Sequence, residues 1–366
     1  MKKSLIALAA LATVATAAQA QSSVTLYGIV DMGVMSSNPH DTAAGKTGST
    51  LATTSGALST SRWGVRGTED LGGGLKASFN LESEIAAGTG VAGGSVVASG
   101  ATTTGVLFHR ASNVTLEKSD LGSIQLGRMN RLEYDAVIAN DAFGAANFGG
   151  AVRVAYIGSG AVPGTGDVRT ANAVVLKSAN LGGLVLAYQH QFGGQAGDNS
   201  YWSGDAVSAT YTAGKLQGVA SWSQNNNAGG TKNDSVRTFG LNYDFGVVKA
   251  YVGHIERVVS NDTDKVKSQY VGLKAPVTAK ISAFGQYTKV SNAAAATGDY
   301  AAVANNDAKV YAVGVTYAFS PRTTGYAMHG TSQNDGTAKV YVSNLAAGAA
   351  AGKDQTATVI GIRHSF

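Results

Sequence analysis

The chain has 366 residues and a formal charge of +5, with 14 % charged residues, 48 glycines, 4 prolines and no cysteine. Charge falls well short of the ~25 % of ordinary soluble domains, glycine is nearly double its usual ~7 %, and mean hydropathy sits near zero. These values exclude a disulfide framework, thiolate chemistry and a clustered basic footprint for nucleic acid; beyond the N-terminus no apolar run reaches the ~18 residues of a transmembrane helix.

In chain order, Met1-Lys2-Lys3 is a positive start, residues 5–14 form a short apolar run, and Ala18-Gln19-Ala20 has the small-x-small form of a cleavage site. This pattern predicts a secretory signal peptide over residues 1–20. Residues 21–366 then read as a single transmembrane β-barrel. Period-two alternation dominates them. In residues 76–82, Ala77, Phe79 and Leu81 alternate with Lys76, Ser78, Asn80 and Glu82. In residues 236–245, Phe239, Leu241, Tyr243 and Phe245 share one face; in residues 309–319, Tyr311, Val313, Val315, Tyr317 and Phe319 do so. Segments of about 10 residues cross a bilayer at a ~45° tilt, and aromatics at their ends suit its two interfaces. At the C-terminus, Thr358, Ile360, Ile362, His364 and Phe366 share an outward parity, which leaves Arg363 toward the lumen.

Short Gly- or Pro-bearing turns at 70–74, 119–122, 179–183, 213–215, 244–246, 275–277 and 320–322 alternate with longer polar stretches at 37–59, 87–105, 130–169, 193–203, 225–235, 259–267, 291–308 and 334–354. That arrangement predicts sixteen antiparallel strands with both chain ends on the short-turn side, the pattern of a bacterial outer-membrane barrel. The final strand, 355–366, is expected to close against 24–34.

Several segments carry a family resemblance. Ser23-Val-Thr-Leu-Tyr-Gly-Ile-Val-Asp31 resembles the opening strand of the general porins of betaproteobacteria. Ser61-Arg-Trp-Gly-Val-Arg-Gly-Thr-Glu-Asp-Leu-Gly-Gly-Gly-Leu-Lys-Ala77 resembles their second strand, first turn and third strand. Leu121-Gly-Ser-Ile-Gln-Leu-Gly-Arg128, Arg169-Thr-Ala-Asn172 and the ending Gly361-Ile-Arg-His-Ser-Phe366 are similar in the same order. The resemblance implies a homotrimer of water-filled diffusion pores for small hydrophilic solutes, each narrowed by an inward-folded third loop. It also implies contact with outer-membrane lipid and lipopolysaccharide, and with the barrel assembly machinery during biogenesis. It implies no cofactor, no bound metal and no nucleic-acid partner.

The stretch 130–169 is long for a connection without periodicity, and such loops usually have a function. It holds Arg131, Glu133, Asp135 and Asp141. Folded inward, these acids would face basic wall residues, and charged rings at a constriction set ion selectivity. Arg62 and Arg66 share the strand face opposite Trp63 and Val65, so they are expected in the lumen, as is Arg169. Alternation leaves Arg110 and Arg128 open, because Arg128 has the parity of Ile124 and Leu126. Basic wall residues outnumber loop acids, so a mild anion preference is expected. His364 and Phe366 are read as terminal-strand residues at the membrane interface.

Other readings are weaker. Gly45-Lys46-Thr47 lacks the first glycine of a phosphate loop, and the six histidines have no metal-binding spacing. No G-x-S-x-G stands behind an enzymatic reading. A substrate-specific channel with an inward Phe284, or a barrel acting as adhesin or receptor through its loops, are the alternatives.

Overall fold

Alternating side chains leave every second residue of a strand for lipid and every other for water, so the chain stores its amphipathicity in strands rather than helices. The computed structural model describes residues 23–38, 48–98, 101–158, 167–227, 229–259, 265–292, 305–343 and 352–366. The signal-peptide segment 1–20 and Gly45–Thr47 lie outside them.

The strands are β1 (Ser23–Asn38), β2 (Thr50–Ser55), β3 (Arg62–Gly72), β4 (Leu75–Ala86), β5 (Val91–Ala92), β6 (Gly94–Ala98), β7 (Ala101–Val106), β8 (Ala111–Lys118), β9 (Gly122–Asn130), β10 (Arg169–Ser178), β11 (Leu184–Gln191), β12 (Gly204–Ala213), β13 (Leu216–Asn226), β14 (Lys232–Asp244), β15 (Lys249–Val259), β16 (Lys265–Pro276), β17 (Ile281–Ser291), β18 (Ala308–Ala318), β19 (Thr323–Asn334) and β20 (Gln355–Ser365). Four of these, β2, β5, β6 and β7, belong to loops. The other sixteen pair antiparallel with their neighbours around a closed wall. Closure is made by β1, which pairs with β3 over Ser23–Ile29 and with β20 over Ile29–Asn38. Two backbone bonds of 3.1 Å join Gly28 and Phe366. The Phe366 ring and the Arg62 carbonyl occupy the space a Cβ on Gly28 would need, so glycine there lets the last residue lie across the seam.

The expected faces hold. Phe239, Leu241, Tyr243, Tyr311, Val313, Val315, Tyr317, Ile360 and Ile362 are exposed on the outer surface, whereas inward Val359 and Ala357 are buried. Ring pairs Tyr243–Phe245 at 4.6 Å and Tyr317–Phe319 at 4.9 Å mark strand ends, and Tyr287 and Tyr311 pair across β17 and β18 at 5.0 Å. The seven short turns fall where the glycines and prolines placed them.

Inside the wall lie the described parts of the 131–168 connection, residues 131–158 and 167–168. The connection begins with helix α1 (Leu132–Ala139), continues to a π-helical turn over Val152–Gly158, and packs against the inner surface of β12–β14 and β16–β17. Asn242 fixes the helix end by donating to the Ala139 carbonyl and to Asn140 Oδ1 at 3.0 and 3.1 Å. The loop tip reaches two other connections. Asn147 donates to the Gly56 carbonyl at 2.8 Å, and Gly149 donates to the Val342 carbonyl at 2.7 Å. The 56–61 segment is itself folded inward. The Asp31 carboxylate accepts from the Leu58 and Ser59 amides at 3.0 and 2.6 Å and from the Tyr326 hydroxyl at 2.6 Å.

Candidate functional site: the lumen constriction

With the loop lining one side of the lumen, a cavity of about 540 Å³ remains between it and the β3–β4–β8–β9–β10 wall. Arg62, Arg110, Arg169 and Lys177 are its cations; Glu82 and Asp135 are its carboxylates. Tyr134, Ile138 and Ala145 supply the loop side.

The charges are arranged unequally. Arg110 sits just before β8, is only 9 % exposed, and holds Glu82 at 2.7 Å and Glu84 at 3.5 Å. Arg62 reaches the other Glu82 oxygen at 3.7 Å. Tyr27 places its hydroxyl 3.0 Å from that same oxygen and 2.9 Å from Asn80 Oδ1. Two arginines therefore share one carboxylate, and the tyrosine competes for it. Arg169 lies at the start of β10, above a one-residue slip of register between Thr170 and Ala173, and its buried Nε has no hydrogen-bond partner. On the loop, Asp135 accepts from Asn130 at 2.8 Å, and burial pushes its carboxyl above the usual range. The arrangement presents fixed positive charge to whatever passes.

Of the residues expected from sequence, Arg62, Arg110, Asp135 and Arg169 meet at this cavity. Arg66 does not line it; its guanidinium stacks 4.9 Å from the Tyr27 ring centroid. Arg128, left open by alternation, stays outside the cavity, and the expectations for Arg131, Glu133 and Asp141 are corrected. Arg128 keeps the outward parity of Ile124 and Leu126, yet it is buried, bonded to the His109 carbonyl and to Asp167. Arg131 is turned into the loop base, donating to the Asp167 carbonyl at 2.9 Å and to Asn225 at 3.0 Å. Glu133 is 1 % exposed, on the side of α1 that faces the wall. Asp141 accepts four backbone N–H bonds, from Phe143, Ala145, Ala151 and Val152, at 2.9–3.2 Å. That acid organises the loop and does not face the passage. His364 is exposed beside Thr323, and Phe366 seals the seam as described.

Sequence reasoning missed Lys177, Asn113, Gln125 and Tyr134 at the cavity. Lys177, Asn113 and Gln125 carry a usable signal, the inward parity of their strands. Tyr134 carries none, because an eight-residue loop helix has no alternation to read.

A closed sixteen-strand wall, an infolded third connection and a charged passage are now matched by comparison. A family profile described as Gram-negative porin matches residues 7–337. The chain belongs to the Gram-negative porin family. It is 34 % identical to outer membrane porin protein 32 of Delftia acidovorans and 31 % identical to an outer membrane porin protein of Bordetella pertussis, each alignment covering 100 % of both chains. A solved structure titled as an anion-selective porin from Comamonas acidovorans superposes with a TM-score of 0.75 at 28 % identity, covering 94 % of this chain and 100 % of that one. This porin therefore resides in the Gram-negative outer membrane, and passive diffusion through its lumen is its activity.

Proposed function

We propose that this porin is a general diffusion channel with a mild anion preference, set where Arg62, Arg110 and Arg169 face the third loop, and that it carries out no covalent chemistry. The observation that carries this reading is the charge count at the cavity. Four cations line it against Glu82 and Asp135, and Glu82 is already shared by two arginines. Fixed charge in a narrow, poorly screened passage raises the local concentration of counter-ions. The anion-selective title of the Comamonas structure supports the same sign.

The test is the reversal potential in a potassium chloride gradient across a planar bilayer. The expected result is a chloride preference, reduced several-fold in Arg110→Ala, which leaves Glu82 neutralised by one arginine instead of two. A cation preference in the native channel would overturn the reading. Liposome swelling with neutral sugars should fall smoothly with solute size and without saturation.

We also infer that the porin assembles as a homotrimer among outer-membrane lipid and lipopolysaccharide, after insertion by the barrel assembly machinery. One solved structure of similar fold, OmpT of Vibrio cholerae, is titled as a trimer form; it is 17 % identical with a TM-score of 0.63.

A further inference from the structure

Below the third loop the lumen contains a second basic recess, distinct from the constriction. A cavity of about 250 Å³ is lined by Lys274, Lys280 and Arg363, by hydroxyls including Ser59 and Thr324, and by no carboxylate. Lys274 has the inward parity of β16, and Lys280 belongs to the short turn after it, so the recess lies at the short-turn mouth.

Its cations are positioned and form no ion pair among the described residues, with the Asp31 and Asp141 carboxylates acting on Arg363 and Lys274 from outside the recess. Arg363 donates to Ser59 Oγ at 3.1 Å and to Thr324 Oγ1 at 3.3 Å, while its Nε is buried without a partner. The Lys274 ammonium stands 6.0 Å from the Phe284 ring centroid, and Phe284 packs edge-on against Phe143 of the loop at 4.7 Å. Those rings fix the recess wall. The loop carboxylate next in sequence, Asp141, is saturated by backbone amides and does not line the recess. Lys274 is exposed to the lumen and Arg363 is half-buried, so an oxyanion entering the recess would accept charge-assisted hydrogen bonds from both. Ser59 and Gly144 line this recess and the constriction alike, so the two are continuous.

We propose that the recess is an oxyanion-binding station at the short-turn end of the pathway. It holds a phosphate-, sulfate- or carboxylate-sized anion between Lys274 and Arg363. The station rests on the anion-conducting reading above and extends it from one site to two, an arrangement that allows binding without trapping because a second ion can displace the first.

The test measures chloride current through the full-length porin in planar bilayers, with inorganic phosphate added to each side in turn. Phosphate should depress the current saturably, and more strongly from one side. Lys274→Gln and Arg363→Gln should each raise the half-blocking concentration by about fivefold or more, the loss of one charge-assisted contact. Lys274→Arg should retain the block. Arg62→Gln should weaken chloride preference but leave the block in place. Correct folding of each variant is read from heat-dependent gel migration. No saturable block in the native channel, or a block unchanged in both the Lys274 and Arg363 variants, would overturn the station. A cation preference in the native channel would instead remove the reading beneath it.

Discussion

At the scale of single residues, selectivity turns on how completely Glu82 is neutralised. Arg110 makes the short contact, at 2.7 Å, and Arg62 the long one, at 3.7 Å. The Tyr27 hydroxyl lies between, 3.0 Å from the oxygen that Arg62 would otherwise engage fully. By occupying that lone pair, Tyr27 keeps the Arg62 guanidinium available to a passing anion. Tyr27→Phe removes the hydroxyl and retains the ring under Arg66. Arg62 should then close onto Glu82, and chloride preference should fall by about twofold, the scale of a contact worth a few tenths to one kcal/mol. The reversal potential of the variant checks this, and an unchanged or increased chloride preference would rule out the role given to the hydroxyl. Single-channel conductance in the same recordings reports whether the passage itself has kept its width.

Among the elements, the third loop has a stability that responds to acid. Glu133 is buried where α1 meets the wall, and burial raises its carboxyl above the ordinary glutamate value, with Arg131 and Ser223 offsetting part of the effect. A raised folded-state pKa means the folded loop binds a proton that the unfolded chain has already released. The resulting stability is present below the unfolded value and is lost as pH rises through the folded one. Thermal unfolding followed by circular dichroism should therefore show a midpoint that falls as pH increases through that window. Glu133→Gln, a permanent mimic of the protonated form, should flatten the dependence and unfold at a higher temperature at neutral pH. A variant with the native pH profile would locate the acid response elsewhere. The same loop marks the limit of what sequence makes legible. Wall residues such as Val313 or Ile360 declare their facing because lipid imposes a period of two on every strand. Arg62 follows from that rule, whereas Arg169 stands beyond a slip of register in β10 and does not. Arg128, Arg131, Glu133 and Asp141 do not: the arginines bond to the His109 carbonyl, Asp167 and Asn225, Glu133 is buried under α1, and Asp141 accepts backbone amides of its own loop, placements that strand alternation does not encode.

For the whole molecule, wall height varies around the barrel, and this bears on assembly. Strands β8 and β11 have 8 residues each and β9 has 9, against 12 in β16 and 13 in β14. Eight residues at about 3.4 Å each and a ~45° tilt rise only about 19 Å, short of the ~25 Å apolar band of such barrels. Taller strands elsewhere satisfy that band unaided. A barrel alone in lipid would leave its low side to hydrophobic mismatch, which thins the bilayer or drives association at a modest cost per ångström. Covering the low wall with the same face of a neighbour removes the mismatch, and closed cyclic symmetry does so for every subunit at once. The chain should therefore migrate, before heating, at about three times its monomer mass on a denaturing gel, and collapse to one chain after boiling. Light scattering of the detergent-solubilised protein, corrected for bound detergent, should give three chains per particle. A single-chain mass by both measures would show that the short strands stand in lipid without a neighbour, and the trimer inferred above would be wrong. Charged substitution on the low wall adds a site-specific arm. Val114→Lys places an ammonium on the outward face of β8, where Val114 is 50 % exposed in the lone barrel. In a trimer whose interface covers this face, that change should shift the unheated band toward the monomer. The equivalent change on the tall side, Val313→Lys, should leave the subunit count unchanged in any trimer that forms.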